Sequence, residues 1–83
     1  MPGKREEIAA AIKAQIVKVG RLDAEVLTDS AELVHDLGMS SLELLAILAF
    51  VEQRYGVSIP DEQLVSLTTL SRIVQKVEDL IED

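Results

Sequence analysis

Two adjacent serines, Ser40 and Ser41, are the residues of this chain best placed to do chemistry. Glu43 follows Ser40 at the spacing of a capping box, in which the serine hydroxyl and the glutamate carboxylate each accept a hydrogen bond from the other residue's backbone N–H. This spacing predicts that Ser40 caps a helix and that Ser41 is its first residue. Gly38 can adopt a backbone conformation closed to other residues, which would lift the serine clear of the surface.

An exposed hydroxyl at the start of a helix suits a phosphate ester. Free backbone amides and the positive end of the helix dipole both favour an anion there, so a phosphodiester on Ser41 would cost little. The same hydroxyl acting as a catalytic nucleophile would need a base oriented by a third group. The one histidine, His35, lies six residues away, and so short a chain leaves no room for a deep pocket. We therefore do not expect an enzyme, and taken alone the two serines are also compatible with ordinary residues at a helix N-terminus.

The composition excludes several other kinds of site. The 83 residues include no cysteine and one histidine, and the acids lack the spacing of a calcium loop, so we expect no disulfide and no metal site. A net charge of -7 opposes binding to nucleic acid and favours basic protein surfaces. No apolar run approaches the roughly 18 residues of a membrane span. We expect a soluble, cytoplasmic monomer without nucleic-acid or membrane partners.

Helical periodicity and turn signals predict an all-α fold, a bundle of three main helices and one short helix with a long first loop. The predicted helices cover about residues 4–19, 41–55, 61–67 and 69–82 of a single domain, 1–83. Gly20 is expected to stop the first helix, Gly56 the second, and Thr68 or Thr69 to cap the last. Residues 21–39 read as an ordered loop that its leucines and valines pin to the core, with one helical turn near residues 31–34.

The residues around Ser41 resemble the signature of the acyl carrier protein family. The run Asp36-Leu37-Gly38-Met39-Ser40-Ser41-Leu42-Glu43 is similar to the family's Asp-Leu-Gly followed by Asp-Ser-Leu at the start of the second helix. Ile59-Pro60-Asp61-Glu62 and Thr68-Thr69-Leu70 match the same family without a gap. The resemblance spans roughly the whole chain and implies the acyl-carrier bundle. Ser40 departs from it, because the family usually has Asp there.

The resemblance implies that Ser41 accepts 4'-phosphopantetheine from coenzyme A, as the substrate of a phosphopantetheinyl transferase. Acyl groups would then be carried as thioesters on the thiol of the arm. The implied partners are this transferase, an acyl-loading ligase or transferase, and synthase enzymes. The pathway stays open among fatty-acid, polyketide and related specialised biosynthesis. Two alternatives also stay open: an aminoacyl or peptidyl carrier of a non-ribosomal-peptide-like system, and a helical docking module without a covalent cofactor.

The second helix is also where the family's partners dock, on several exposed acids. The matching positions here include Ala46, Gln53 and Arg54, so the surface is less acidic and more apolar than usual. We therefore expect partners with basic, partly apolar docking surfaces. The residues predicted to contact them are Leu42, Glu43, Leu45, Ala49, Glu52, Asp61 and Glu62.

Overall fold

A computed structural model describes residues 4–81. Its α-helices are α1 (Lys4–Gly20), α2 (Ser41–Tyr55), α3 (Asp61–Leu64) and α4 (Leu70–Ile81), and a short 3₁₀ helix, Ala24–Val26, lies in the first loop. Within residues 4–81 no strand forms, apart from an isolated bridge between Glu32 and Thr69. The all-α prediction is confirmed. The last predicted helical residue, Glu82, lies outside the described residues, and the assignment of 1–83 to one domain stays a prediction.

The core is aliphatic and is built from the inward stripes of α1, α2 and α4. Its buried residues in these three helices are Ile8, Ile12, Ile16, Leu44, Ile47, Leu48, Val51, Leu70, Ile73, Val74 and Val77. These positions recur every three or four residues, which is the spacing that places side chains on one face of a helix. Burial of such side chains contributes about 1.5–3 kcal/mol each and dominates the stability of the bundle.

Contacts at the ends of the helices set their directions. Arg5, in the first turn of α1, forms an ion pair with Glu78 near the end of α4, so these two helices are antiparallel. A shallow depression lined by Lys4, Tyr55 and Ile81 places the start of α1 beside the ends of both α2 and α4. The helices α2 and α4 therefore run in the same direction, against α1.

The end of α1 has a left-handed residue that the sequence did not indicate. Gly20 is the last helical residue, but the positive φ, 53°, belongs to Arg21. The Leu22 N–H donates to the Val17 carbonyl at 3.1 Å, as in a Schellman motif. Gly20 is instead needed for space, since a Cβ there would come within 3.2 Å of the Leu22 and Met39 side chains.

The third helix is shorter than the predicted span of residues 61–67. It ends at Leu64, because the backbone N–H and the hydroxyl of Ser66 both donate to the Gln63 carbonyl, at 3.2 and 2.9 Å. That carbonyl is the one that the Leu67 N–H would need to continue an α-helix. Leu67 instead donates to Leu64, at 3.2 Å, in a tighter turn that buries the Leu67 side chain.

The long first loop is fastened to the start of α4. The Leu33 N–H donates to the Thr68 carbonyl at 2.9 Å, and the Ser71 N–H donates to the Asp29 carbonyl at 3.0 Å. Met39, at the far end of the loop, donates its N–H to the Leu33 carbonyl at 3.0 Å. These bonds fix the path of the chain into α2 by holding it against a helix that lies thirty or more residues later.

The loop side chains divide into buried and exposed groups. Leu27 and Leu33 are buried in the core, which confirms that leucines pin the loop. Val26 and Val34 are exposed, so the prediction that the valines do so was wrong. The helical turn expected near residues 31–34 begins one residue later, at Glu32, whose carbonyl accepts from the Asp36 N–H at 2.8 Å as in an α-helix.

Candidate functional site

The start of α2 forms the predicted capping box. Ser40 has extended backbone angles, φ −77° and ψ 161°, and its hydroxyl accepts from the Glu43 N–H at 3.1 Å. The Glu43 carboxylate in turn accepts from the Ser40 N–H at 2.8 Å. Ser41 is therefore the first residue of the helix, as the spacing of the sequence predicted.

The two serines differ in what their hydroxyls do. The Ser40 oxygen is committed to the cap, whereas within residues 4–81 the Ser41 hydroxyl makes no hydrogen bond and the residue is exposed. Gly38 has a φ of +73°, the left-handed conformation that the sequence indicated, and it turns the chain into the helix. The Ser41 hydroxyl is thus the one free to react at this corner.

A cleft of about 320 Å³ opens beside Ser41, between α2 and the α3 region. Its lining residues are Val34, Ser41, Leu44, Leu45, Leu48, Leu64, Val65 and Thr68. Apart from the rim residues Ser41 and Thr68 the lining is aliphatic, so the cleft suits an apolar chain better than a polar one. Its walls belong to different parts of the chain, the leucines of α2 on one side and Leu64 and Val65 on the other.

No catalytic machinery surrounds the serine in the part of the chain that the structure describes. His35 is exposed, and neither it nor any carboxylate there hydrogen bonds to Ser41. Asp36, the nearest acid in the preceding loop, accepts from the Glu32 N–H at 3.0 Å and so stabilises the turn. Among residues 4–81 no group of three or more possible metal ligands is clustered. Within the described residues, the Ser41 hydroxyl therefore has no hydrogen-bonded base.

The residues predicted to contact partners fall into three groups. Leu42 and Leu45 are 77% and 46% exposed and, with exposed Ala49, form an apolar strip along α2. Asp61 and Glu62 are exposed at the start of α3. The carboxylates of the remaining two, Glu43 and Glu52, already accept intramolecular hydrogen bonds, from the backbones of Ser40 and Ile59.

Sequence reasoning missed Val65, which is 82% exposed and lines the cleft, and its neighbour there, Val34. A signal for Val65 was available. Leu64 and Leu67 are three residues apart and share the face that turns toward the core, which leaves Val65 on the opposite face. We define the apolar patch as Leu42, Leu45, Ala49, Val65 and Val34.

Comparison with known proteins agrees with this geometry. The family described as phosphopantetheine attachment site matches residues 10–77. The chain is 36% identical over 83 residues to the meromycolate extension acyl carrier protein of Mycobacterium tuberculosis (strain ATCC 25618 / H37Rv), covering all of this chain and 72% of that protein. It is 36% identical over 74 residues to the acyl carrier protein of Helicobacter pylori (strain G27), covering 89% of this chain and 90% of that protein. The chain belongs to the acyl carrier protein family.

An acyl carrier protein uses 4'-phosphopantetheine as its prosthetic group, and the start of α2 fits such a group. A phosphodiester on Ser41 would lie at a helix N-terminus, where the first backbone N–H groups are unpaired within the helix. The aliphatic cleft begins at the same residue, so an acyl group on the arm has an apolar surface within reach. Within residues 4–81 no helix of this acyl carrier protein is both long and apolar enough to cross a membrane.

Proposed function

We propose that Ser41 is the residue to which 4'-phosphopantetheine is attached. The observation that carries the proposal is the difference between the two serines: the Ser40 hydroxyl caps α2, and the Ser41 hydroxyl is free, exposed and at the mouth of the cleft. In the reaction the Ser41 oxygen would form a bond to the phosphorus that carries the pantetheine of coenzyme A. Adenosine 3',5'-bisphosphate would leave, and the hydroxyl proton would pass to a base of the transferase.

The arm supplies a thiol, which this cysteine-free chain lacks, and acyl groups are carried on it as thioesters. The chain's own residues would then act on the cargo. Leu44 and Leu48 on one side, and Leu64 and Val65 on the other, would cover an apolar acyl chain and keep water from it. The chain is in this role a substrate and carrier, with the catalytic groups supplied by its partners.

We propose an aliphatic acyl cargo in fatty-acid, polyketide or a related specialised biosynthesis. The aliphatic lining of the cleft supports this, because the charged amino group of an aminoacyl cargo would lose its hydration there without a polar partner. One of the two relatives is named for meromycolate extension, and the other is named simply acyl carrier protein. The aminoacyl or peptidyl carrier is the alternative, and loading with a panel of acyl and aminoacyl groups by the partner ligase decides between them.

The partners would dock on the apolar patch. Leu42 on α2 and Val65 just after α3 present large exposed aliphatic side chains, where contact area is gained without desolvating a charge. The exposed carboxylates of Asp61 and Glu62, at the start of α3, would face basic residues of the partner and speed the encounter. Glu43 and Glu52 would contribute less, because the carboxylate of each already accepts a hydrogen bond from a backbone N–H. The monomeric state and the cytoplasmic location stay predictions from the sequence.

The attachment site is tested by intact-protein mass spectrometry after incubation with coenzyme A, magnesium and a permissive phosphopantetheinyl transferase. The unsubstituted chain should gain one phosphopantetheinyl group, and fragmentation should place it on Ser41. Ser41→Ala should gain nothing and Ser40→Ala, the matched control, should be loaded. Loading of Ser41→Ala would show that the assigned serine is wrong. No gain by the folded, unsubstituted chain would favour the docking module without a cofactor.

A further inference from the structure

Three backbone donors of the loop between α2 and α3 converge on one residue, Glu52. Its carbonyl accepts from the N–H of Gly56, which caps α2 in a left-handed conformation, and from the N–H of Val57 at 3.1 Å. Its carboxylate accepts from the N–H of Ile59 at 2.7 Å. The Val57 bond is that of a Schellman motif and the Gly56 bond that of an αL motif, helix ends that many sequences can form. The third requires the side chain of Glu52 and ties the far end of the loop back to α2.

The bond to Ile59 lies directly before α3. Ile59 is buried, and the next residue, Pro60, has a fixed φ of −60° and forms the N-terminal boundary of the short helix. Few backbone angles therefore remain free between the Ile59 N–H and the first turn of α3. The position of that N–H sets the point from which α3 departs.

Little else holds α3. It has four residues and makes no close backbone contact with α1, α2 or α4. Beyond it the chain is fixed again where the Leu33 N–H donates to the Thr68 carbonyl at 2.9 Å. Between these two attachments the segment is held by the buried Leu67, the partly buried Leu64 and a hydrogen bond from the Arg72 guanidinium to the Ser66 carbonyl at 3.3 Å. That segment is also the wall of the cleft that faces α2.

We propose that Glu52 is a positioning residue for this wall, and that its hydrogen bond to Ile59 sets the width of the cleft beside Ser41. The interpretation of the cleft as the place of an acyl chain rests on the proposed function. The claim that Glu52 sets its width rests on the contacts alone. Without the carboxylate, the Ile59 N–H loses its acceptor and α3 is released at its N-terminal end. Leu64 and Val65 then move relative to α2, and an acyl chain in the cleft is less well covered.

Three substitutions isolate this bond. Glu52→Ala removes the acceptor. Glu52→Gln removes the charge but keeps an amide oxygen that can accept from Ile59. Gln53→Ala, in the same turn, removes a long exposed polar side chain that makes no hydrogen bond in the described residues, and so controls for the change in helix surface.

The first measurement is amide hydrogen exchange by NMR on the unmodified chain. Glu52→Ala should speed exchange at Ile59, Gln63 and Leu67 by about tenfold or more, the loss expected for a hydrogen bond to a charged group, with little change at core amides such as Ile73. Glu52→Gln should restore most of the protection, and Gln53→Ala should resemble the unsubstituted chain. Unchanged exchange at Ile59 and Leu67, or equal acceleration at Ile73, would overturn the proposal.

The second measurement uses the carrier loaded with an octanoyl or an acetyl thioester. Glu52→Ala should raise the rate at which hydroxylamine cleaves the octanoyl thioester several-fold relative to the acetyl one, because only the longer chain depends on the cleft wall. Equal effects on both thioesters would contradict the role of Glu52 in the cleft. Failure of the unsubstituted chain to accept an arm would instead refute the attachment site, and the exchange result would stand independently.

Discussion

The Glu43 carboxylate accepts a hydrogen bond from the Ser40 N–H at 2.8 Å, and the Ser40 hydroxyl accepts one from the Glu43 N–H at 3.1 Å. This pair has two consequences. It satisfies two backbone donors at the start of α2, and it occupies the hydroxyl next to the proposed attachment site. Ser40 therefore has the capping role, and the Ser41 hydroxyl remains without a hydrogen bond within residues 4–81.

Ser40→Ala should lower the free energy of unfolding by about 1 kcal/mol, since it removes the side-chain acceptor of an N-cap. For a domain of this size that loss corresponds to a fall in Tm of roughly 4–8 °C. Ser40→Asp, which can also cap, should unfold within about 0.5 kcal/mol of the unsubstituted chain. Urea denaturation followed by circular dichroism measures both. If Ser40→Ala were as stable as the unsubstituted chain, the box would contribute nothing to the fold.

Leu42→Ala should leave the fold unchanged and weaken docking. Leu42 is 77% exposed, so its truncation should alter the free energy of unfolding by no more than about 0.5 kcal/mol. As part of an interface it should raise the KM of a partner transferase for the carrier by about five- to tenfold, with kcat little changed. Val26→Ala is the matched control, because Val26 is exposed but lies in the first loop, outside the apolar patch. An equal KM for both variants would exclude Leu42 from the interface.

Gly38→Ala should destabilise the chain by about 1 kcal/mol through backbone strain alone. Gly38 has a φ of +73°, yet no atom lies within 4 Å of the Cβ that alanine would add, so steric contact plays no part. Gly38→Asn should cost less, because asparagine tolerates the left-handed region better than alanine. Chemical denaturation of the two variants measures their free energies of unfolding. An asparagine variant less stable than the alanine variant would contradict this prediction.

Leu33→Ala should destabilise the chain by about 2–4 kcal/mol, since it leaves a cavity where a fully buried side chain anchors the first loop. The adjacent Val34→Ala removes methyl groups from a side chain that is partly exposed, and it should cost less than about 1 kcal/mol. Thermal unfolding by calorimetry distinguishes the two. Similar losses for both would mean that the loop is not anchored through Leu33.

The features that depended on local spacing were predictable from the sequence. Ser40 and Glu43 are three residues apart, and Thr69 stands three residues before Arg72, whose N–H it accepts at 3.2 Å, so the caps of α2 and α4 could be expected. Gly38 and Gly56 likewise have the positive φ angles that glycine allows. In both caps the partner atoms lie within one helical turn of each other in the chain.

The features that sequence reasoning missed depend on a competition between groups or on contact across the fold. The Ser66 hydroxyl competes for a carbonyl and ends α3 early, although the leucines on either side continue a helical pattern. The Glu52 carboxylate bonds a backbone N–H seven residues later, a contact that has no periodic signature. The left-handed residue at the end of α1 is Arg21 and not the glycine before it, while Gly20 is closely packed against Leu22 and Met39. The types and spacing of residues alone do not predict such contacts.

The hydrogen bonds between Leu33 and Thr68 and between Ser71 and Asp29 also bear on when Ser41 becomes available during synthesis. The loop that leads into α2 takes its shape from residues at the start of the last helix. A nascent chain that has emerged from the ribosome only as far as α2 lacks both partners, so we expect the corner that presents Ser41 to form only later. If Ser41 is the attachment residue, we expect a modifying enzyme to meet this corner in a chain that has folded as far as α4.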